Sequence, residues 1–230
     1  MKKTRKLLAA LFMLGALASC GGTPTAEPTA QPTQEQTEQP TQAPTVEQTE
    51  QPTTQPTQEV EGGLEASLVN IAVGKTVYLS TVGQADSNII ENIIKKAGAV
   101  GMYSSQNMLT ADQVEEGAVV LLTLGSSSKG LGAAGVDEAF EKNRAAAFSQ
   151  AAAEGKFTLI LFHVGGTARR GTSSDPIIEA AFPGAAACFL VSAGNEDGFF
   201  TTLSTENNVS LYEVDKAASL SDYAKQLFGK

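Results

Sequence analysis

Cationic side chains, histidine and cysteine are all scarce in this 230-residue chain, and each scarcity removes a class of function. Sixteen Lys and Arg stand against twenty-five Asp and Glu, for a formal net charge of −9. Nucleic acid demands a positive face, so this balance argues against nucleic-acid binding. Beyond the first six residues there is no polybasic patch for anionic lipid headgroups. His163 is the only histidine, and Cys20 and Cys188 are the only cysteines. No Cys/His cluster has the spacing of metal ligands, which argues against a zinc site. Long apolar runs are also missing. The stretch from residue 7 to residue 18 is too short to span a bilayer comfortably.

That stretch is informative through its flanks. Lys2, Lys3, Arg5 and Lys6 precede it and small residues follow, which is the layout of a secretory signal peptide over residues 1–19. Leu17-Ala18-Ser19-Cys20 resembles the lipobox of bacterial lipoproteins. The resemblance implies cleavage before Cys20 and acyl chains, palmitate among them, on Cys20. It places the protein on the extracytoplasmic side of a bacterial cell membrane, with the membrane itself as a partner through the lipid. Each buried methylene contributes roughly 0.8 kcal/mol, so two or three chains anchor firmly. With Cys20 acylated, Cys188 has no disulfide partner. Its setting, Ala185-Ala186-Ala187-Cys188-Phe189-Leu190-Val191, reads as a buried strand rather than a reactive thiol.

Residues 20–61 read as the lipidated cysteine and a disordered tether. From residue 23 the segment holds seven glutamates and no lysine, arginine or aromatic residue. Pro-Thr begins at 24, 28, 32, 40, 44, 52 and 56 on a four-residue grid, with Gln36 and Gln48 at the two gaps. Such a composition buries too little apolar surface to offset the cost of ordering its backbone. Proline and like charge keep it extended, at roughly 3.1 Å per residue.

Residues 62–230 have the length and patterning of one α/β domain. Strands are expected over 76–82, 100–103, 118–124, 157–162, 186–191 and 210–214. Helices are expected over 87–97, 137–153, 176–182 and 220–228, the last capped by Ser219 or Ser221. The continuous apolar strands imply a three-layer fold with a mostly parallel sheet. A flavodoxin-like order 2-1-3-4-5 with a sixth edge strand is the expectation, and a Rossmann-like 3-2-1-4-5-6 is the alternative.

In such sheets ligands bind at the carboxyl ends of the strands. The loops leaving those ends are rich in glycine and small polar residues: 83–88, 125–135, 163–175 and 192–198. Loops at the other ends are short. Lys129, Arg169 and Arg170 fall in two of the long loops, and arginine can grip a carboxylate or phosphate with two parallel bonds. Ser126, Ser127 and Asn195 would add neutral hydrogen bonds, with Asp86 closing the side. The competing expectation is that Arg169 and Arg170 pair with Asp175, Glu179 or Asp197 and pin the loops. Other motifs fit poorly. Gly130 to Gly135 spells G-x-G-x-x-G, but it trails the third strand and the next strand ends in His163. Leu131 stands where a P-loop lysine belongs. Ser126 to Lys129 spells S-x-x-K, without a helix start or a Lys-Thr-Gly element. Ser126, His163 and Asp175 could form a hydrolytic triad, but no G-x-S-x-G elbow supports it. No cofactor is called for.

The glycine loops at 125–135, His163-Val164-Gly165-Gly166 with Arg169-Arg170-Gly171, and Gly194-Asn195-Glu196-Asp197-Gly198 together resemble an uncharacterised family of secreted bacterial proteins, known only as a domain of unknown function. The resemblance covers most of residues 75–228 and implies no activity. The expected function is therefore a membrane-anchored lipoprotein whose domain binds a small anionic ligand beside a transporter or sensor. A hydrolase using Ser126 or His163, and an envelope interaction module presenting Phe199-Phe200, are the alternatives. The anchor is directly testable. Replacing Cys20 by alanine should leave uncleaved precursor or release the protein from the membrane fraction, as read by mass and fractionation. Normal processing with lipid retained would refute the lipobox.

Overall fold

Short, β-branched and aromatic runs make the strands, and helices on both sides keep them dry. The structure, a computed structural model, describes residues 63–230. The signal segment, Cys20 and the tether lie outside the described residues. Among the described residues there are six strands: β1 (Val77–Val82), β2 (Ser104–Ser105), β3 (Val119–Leu124), β4 (Thr158–His163), β5 (Ala187–Val191) and β6 (Ser210–Val214). Six α-helices accompany them: α1 (Ser87–Lys96), α2 (Ser128–Ala134), α3 (Glu138–Ala153), α4 (Asp175–Ala181), α5 (Phe199–Asn207) and α6 (Leu220–Phe228).

All strands are parallel, in the order β2-β1-β3-β4-β5-β6. This is the flavodoxin-like order with the sixth strand beyond β5; the Rossmann-like alternative is not the one found. Every residue of β1 and β3 is buried, as central strands covered on both faces must be. One face carries α1 and α6, with Ile90, Ile93, Ile94, Leu220 and Leu227 against Leu79, Leu121 and Phe189. The other carries α3, α4 and α5, with Phe148, Ile177, Ile178 and Phe200 against Val120, Leu122 and Leu161.

Three local expectations need correction. The edge strand is Ser104–Ser105, not residues 100–103; it pairs with Tyr78 and Leu79 of β1, while Met102 and Tyr103 pack on the core from an irregular turn. Ser219 stands at the N-cap of α6 but makes no capping hydrogen bond. Two helices, α2 and α5, stand where no helix was expected.

The chain enters along α6. The Leu64 N–H donates to Gln226 Oε1 at 3.1 Å, and the Asn70 and Ala72 N–H groups donate to the Gln226 and Leu227 carbonyls at 2.8 and 3.0 Å. Ser210 Oγ donates to Glu65 Oε1 at 2.7 Å. Ser210 opens β6, so this entry lies at the amino-terminal edge of the parallel sheet. No helix among the described residues is long and apolar enough to cross a membrane.

Cys188 sits in β5 with no exposed surface, and burial pushes its thiol far above the ordinary range. The thiolate is the reactive species. Thiol reagents should therefore label Cys188 only after denaturation, on the timescale of global unfolding. Rapid labelling of the native protein would show that β5 is not packed in this way.

Candidate functional site

At the carboxyl edge of the sheet, the β1 and β3 loops touch through backbone rather than across a cleft. Gln84 and Ser126 form an isolated antiparallel bridge, and the Ser127 N–H donates to the Gly83 carbonyl at 2.9 Å. Gly83 has φ of 87°, and a Cβ there would overlap the Gly125 carbonyl. Two buried charges hold this closure from below. Glu141, on α3, accepts the Gly83 N–H at 2.8 Å and Gln84 Nε2 at 2.9 Å, and it pairs with Arg144 at 2.6 Å. Arg144 also donates to the Leu109 carbonyl at 2.8 Å and to the Thr81 carbonyl. Glu141 is fully buried and Arg144 nearly so. The sequence reading missed this pair. Positions 141, 144, 145, 148, 151 and 152 fall on one helical stripe, and the structure buries all of them, but all except Phe148 are charged or alanine and mark the stripe only weakly.

The two adjacent arginines have different fates. Arg170 is committed to the fold. Its Nε donates to Asp175 at 2.8 Å, its Nη2 to Asp197 at 3.0 Å, and its Nη1 to Asp197 at 3.1 Å and to the Gly194 carbonyl. Its guanidinium also lies 3.9 Å from the centre of the Phe199 ring. The hydrogen bond from Arg170 holds the Asp197 carboxyl below the usual range. Arg169 makes one contact of this kind, from Nε to Asp86 Oδ2 at 3.2 Å, and no other described residue pairs with its Nη groups. Its side chain is 32 % exposed. Gly125 and Gly165 cradle its stem: a Cβ on Gly125 would come within 3.0 Å of Arg169 Cβ, and one on Gly165 would overlap it.

The remaining candidates divide in the same manner. Asn195 is used internally: its amide donates to Glu213 at 2.6 Å and Thr201 at 2.8 Å, and its carbonyl oxygen accepts from the Phe200 and Thr201 N–H groups that open α5. Ser127 caps α2, accepting the Gly130 N–H at 3.2 Å. Ser126 is buried; its N–H donates to Ser174 Oγ at 2.9 Å, and its hydroxyl has no partner. Lys129 is exposed in the first turn of α2 and makes no ion pair with a described residue. His163, at the end of β4, is fully buried, with Nδ1 3.2 Å from the Leu124 carbonyl and Nε2 3.1 Å from the Gly166 carbonyl. Neither nitrogen is directed to Ser126, and Asp175 is bound to Arg170, so these three residues form no hydrogen-bonded relay. Among the described residues no group of three or more His, Cys, Asp or Glu could hold a metal ion. A groove of about 680 Å³ runs down the flank of α3 against residues 110–114, and none of the loop candidates lines it.

A family profile described as a domain of unknown function, DUF6305, matches residues 74–228. The chain belongs to this family. The matched span runs from the approach to β1 through the end of α6, so the whole sheet, the Glu141–Arg144 pair and all three glycine loops lie inside the DUF6305 domain. No curated protein matches the chain, and no solved structure does.

The buried pair is the sharpest mechanical element of the DUF6305 domain. Removing one member of a buried pair strands the other charge, at a cost of about 3–5 kcal/mol. Glu141→Ala should accordingly lower the midpoint of chemical denaturation far more than Glu138→Ala on the exposed side of the same helix. Equal, small losses would show that the pair does not brace the β1 loop.

Proposed function

We propose that the domain is a binding module for a small anion, held outside the cytoplasmic membrane of a bacterium by acyl chains on Cys20, and that Arg169 is the residue that grips the ligand. The observation that carries this reading is the state of the Arg169 guanidinium. One nitrogen is spent on Asp86, no described residue uses either Nη group, and glycines at 125 and 165 leave room for the stem. A guanidinium in this state is fixed in position with its fork open, and charge-assisted bonds from it are each worth about 1.5–3 kcal/mol. Lys129, in the first turn of α2, supplies a second cation on the same edge. Arg170 has no such capacity left. The single bond to Asp86 also leaves Arg169 little structural work to lose. A partnership with a transporter or sensor follows from the anchored setting.

The test compares the two arginines. Inorganic phosphate and short dicarboxylates are titrated into the protein and followed by amide shifts and calorimetry. Arg169→Ala should weaken the strongest of these by on the order of tenfold to a hundredfold, the size of one charge-assisted bond, with little change in melting temperature. Arg170→Ala should instead lower the melting temperature. If no anion perturbs the 125–130 and 164–170 amides, or if Arg169→Ala destabilises as Arg170→Ala does, the reading is wrong.

A further inference from the structure

The one histidine of the chain occupies a seat that does not match its neutral form. Both ring nitrogens of His163 face backbone carbonyl oxygens, at 3.2 Å on Leu124 and 3.1 Å on Gly166. A neutral imidazole carries one N–H, so it can satisfy one of these oxygens; at the other, lone pair faces lone pair. An imidazolium donates to both. The ring cannot move aside. A Cβ on Gly194 would come within 2.7 Å of its Cδ2, and the Phe200 ring centre lies 4.8 Å away. Any adjustment therefore falls to the carbonyls. Leu124 ends β3 and is held by the sheet, whereas Gly166 opens the short 3-10 turn Gly166–Arg169 in the loop.

We propose that His163 is a proton-operated latch on the turn that carries Arg169. In the neutral state Nδ1–H donates to the Leu124 carbonyl, and the Gly166 carbonyl is released from a bare Nε2. Protonation adds the second hydrogen bond and fixes the turn. The charged groups near the ring set where this happens. Burial is the largest influence and favours the neutral form; the Gly166 and Leu124 carbonyls oppose it, Arg170 adds to it and Asp86 opposes it. Asp175 and Asp197 are occupied by Arg170, Arg169 is bound to Asp86, and the packed faces of β3, residues 192–194 and Phe200 bring no other charge. The balance lies below the ordinary histidine value of about 6.5, so the latch is open at neutral pH and closes on acidification.

The latch does not depend on a ligand, so it is tested without one. The imidazole nitrogens and backbone amides of the full chain are followed by NMR from pH 8 to pH 4. At pH 8 the ring should be neutral with its proton on Nδ1. As the ring titrates, with a midpoint below the ordinary value, the amides of Gly166, Thr167, Ala168 and Arg169 should shift with the same midpoint. Exchange protection of the turn, corrected for intrinsic rate, should rise several-fold on the acid side. His163→Gln should abolish this step. Three results would overturn the latch: a ring that stays neutral until the protein unfolds, a ring that titrates while the turn stays unmoved, or a turn that responds identically in His163→Gln, which would assign the change to Asp86, Asp175 or Asp197. Should His163→Gln fail to fold, the coincidence of ring and turn midpoints in the unmodified chain decides alone.

Discussion

The carboxyl edge of this domain depends on the buried Glu141 carboxylate. It lies where α3 crosses the end of β1, with no solvent to share its charge, and three donors from two elements converge on it. A buried carboxylate so placed dictates the path of the backbone it binds, because any displacement leaves a charge without partners. Gly83 and Gln84 are thereby held against Gly125 and Ser126, and the crevice that the strand order would open between β1 and β3 is filled by the protein itself. At the neighbouring β4 loop the stem of Arg169 passes over Gly125 and Gly165.

The sheet was legible in the sequence because apolar continuity and strand length both speak to burial on two faces. Five strands fall within a residue or so of the expected positions, and the strand order is the expected one. The edge strand was not, since a two-residue strand owes its existence to its neighbour rather than to its own side chains. Two helices were hidden as well. The run Ser-Lys-Gly-Leu-Gly-Ala-Ala of α2 reads as a loop on propensity alone, and its Ser127 cap shows only with the fold in hand. The Thr-rich α5 is nucleated by Asn195, five residues before the first N–H it accepts is in view.

For the candidate loops, the sequence showed which residues share the carboxyl edge but not how each is partnered. Glycine-rich loops on one edge, and three cations within 125–135 and 163–175, could be read from the sequence. Which cation faces outward was not readable, because Arg169 and Arg170 are identical in type and adjacent in sequence. Their environments separate them only through partners far along the chain: Asp86 for one, Asp175, Asp197 and the Gly194 carbonyl for the other. The inward placement of Glu141 and Arg144 was hidden for the opposite reason. Charged residues three apart on a helix ordinarily mark its solvent side, and the alanines around them carry too weak an apolar signal to contradict that.

The entry of the chain along α6 gives the domain a polarity. Residues 64–73 are stapled to Gln226, Leu227 and Ser210 at the amino-terminal edge of a sheet whose strands all point the same way. Arg169, Lys129 and the glycine loops stand at the opposite pole. The two ends of the sheet therefore differ in kind: one carries the entering chain, and the other carries the glycine loops.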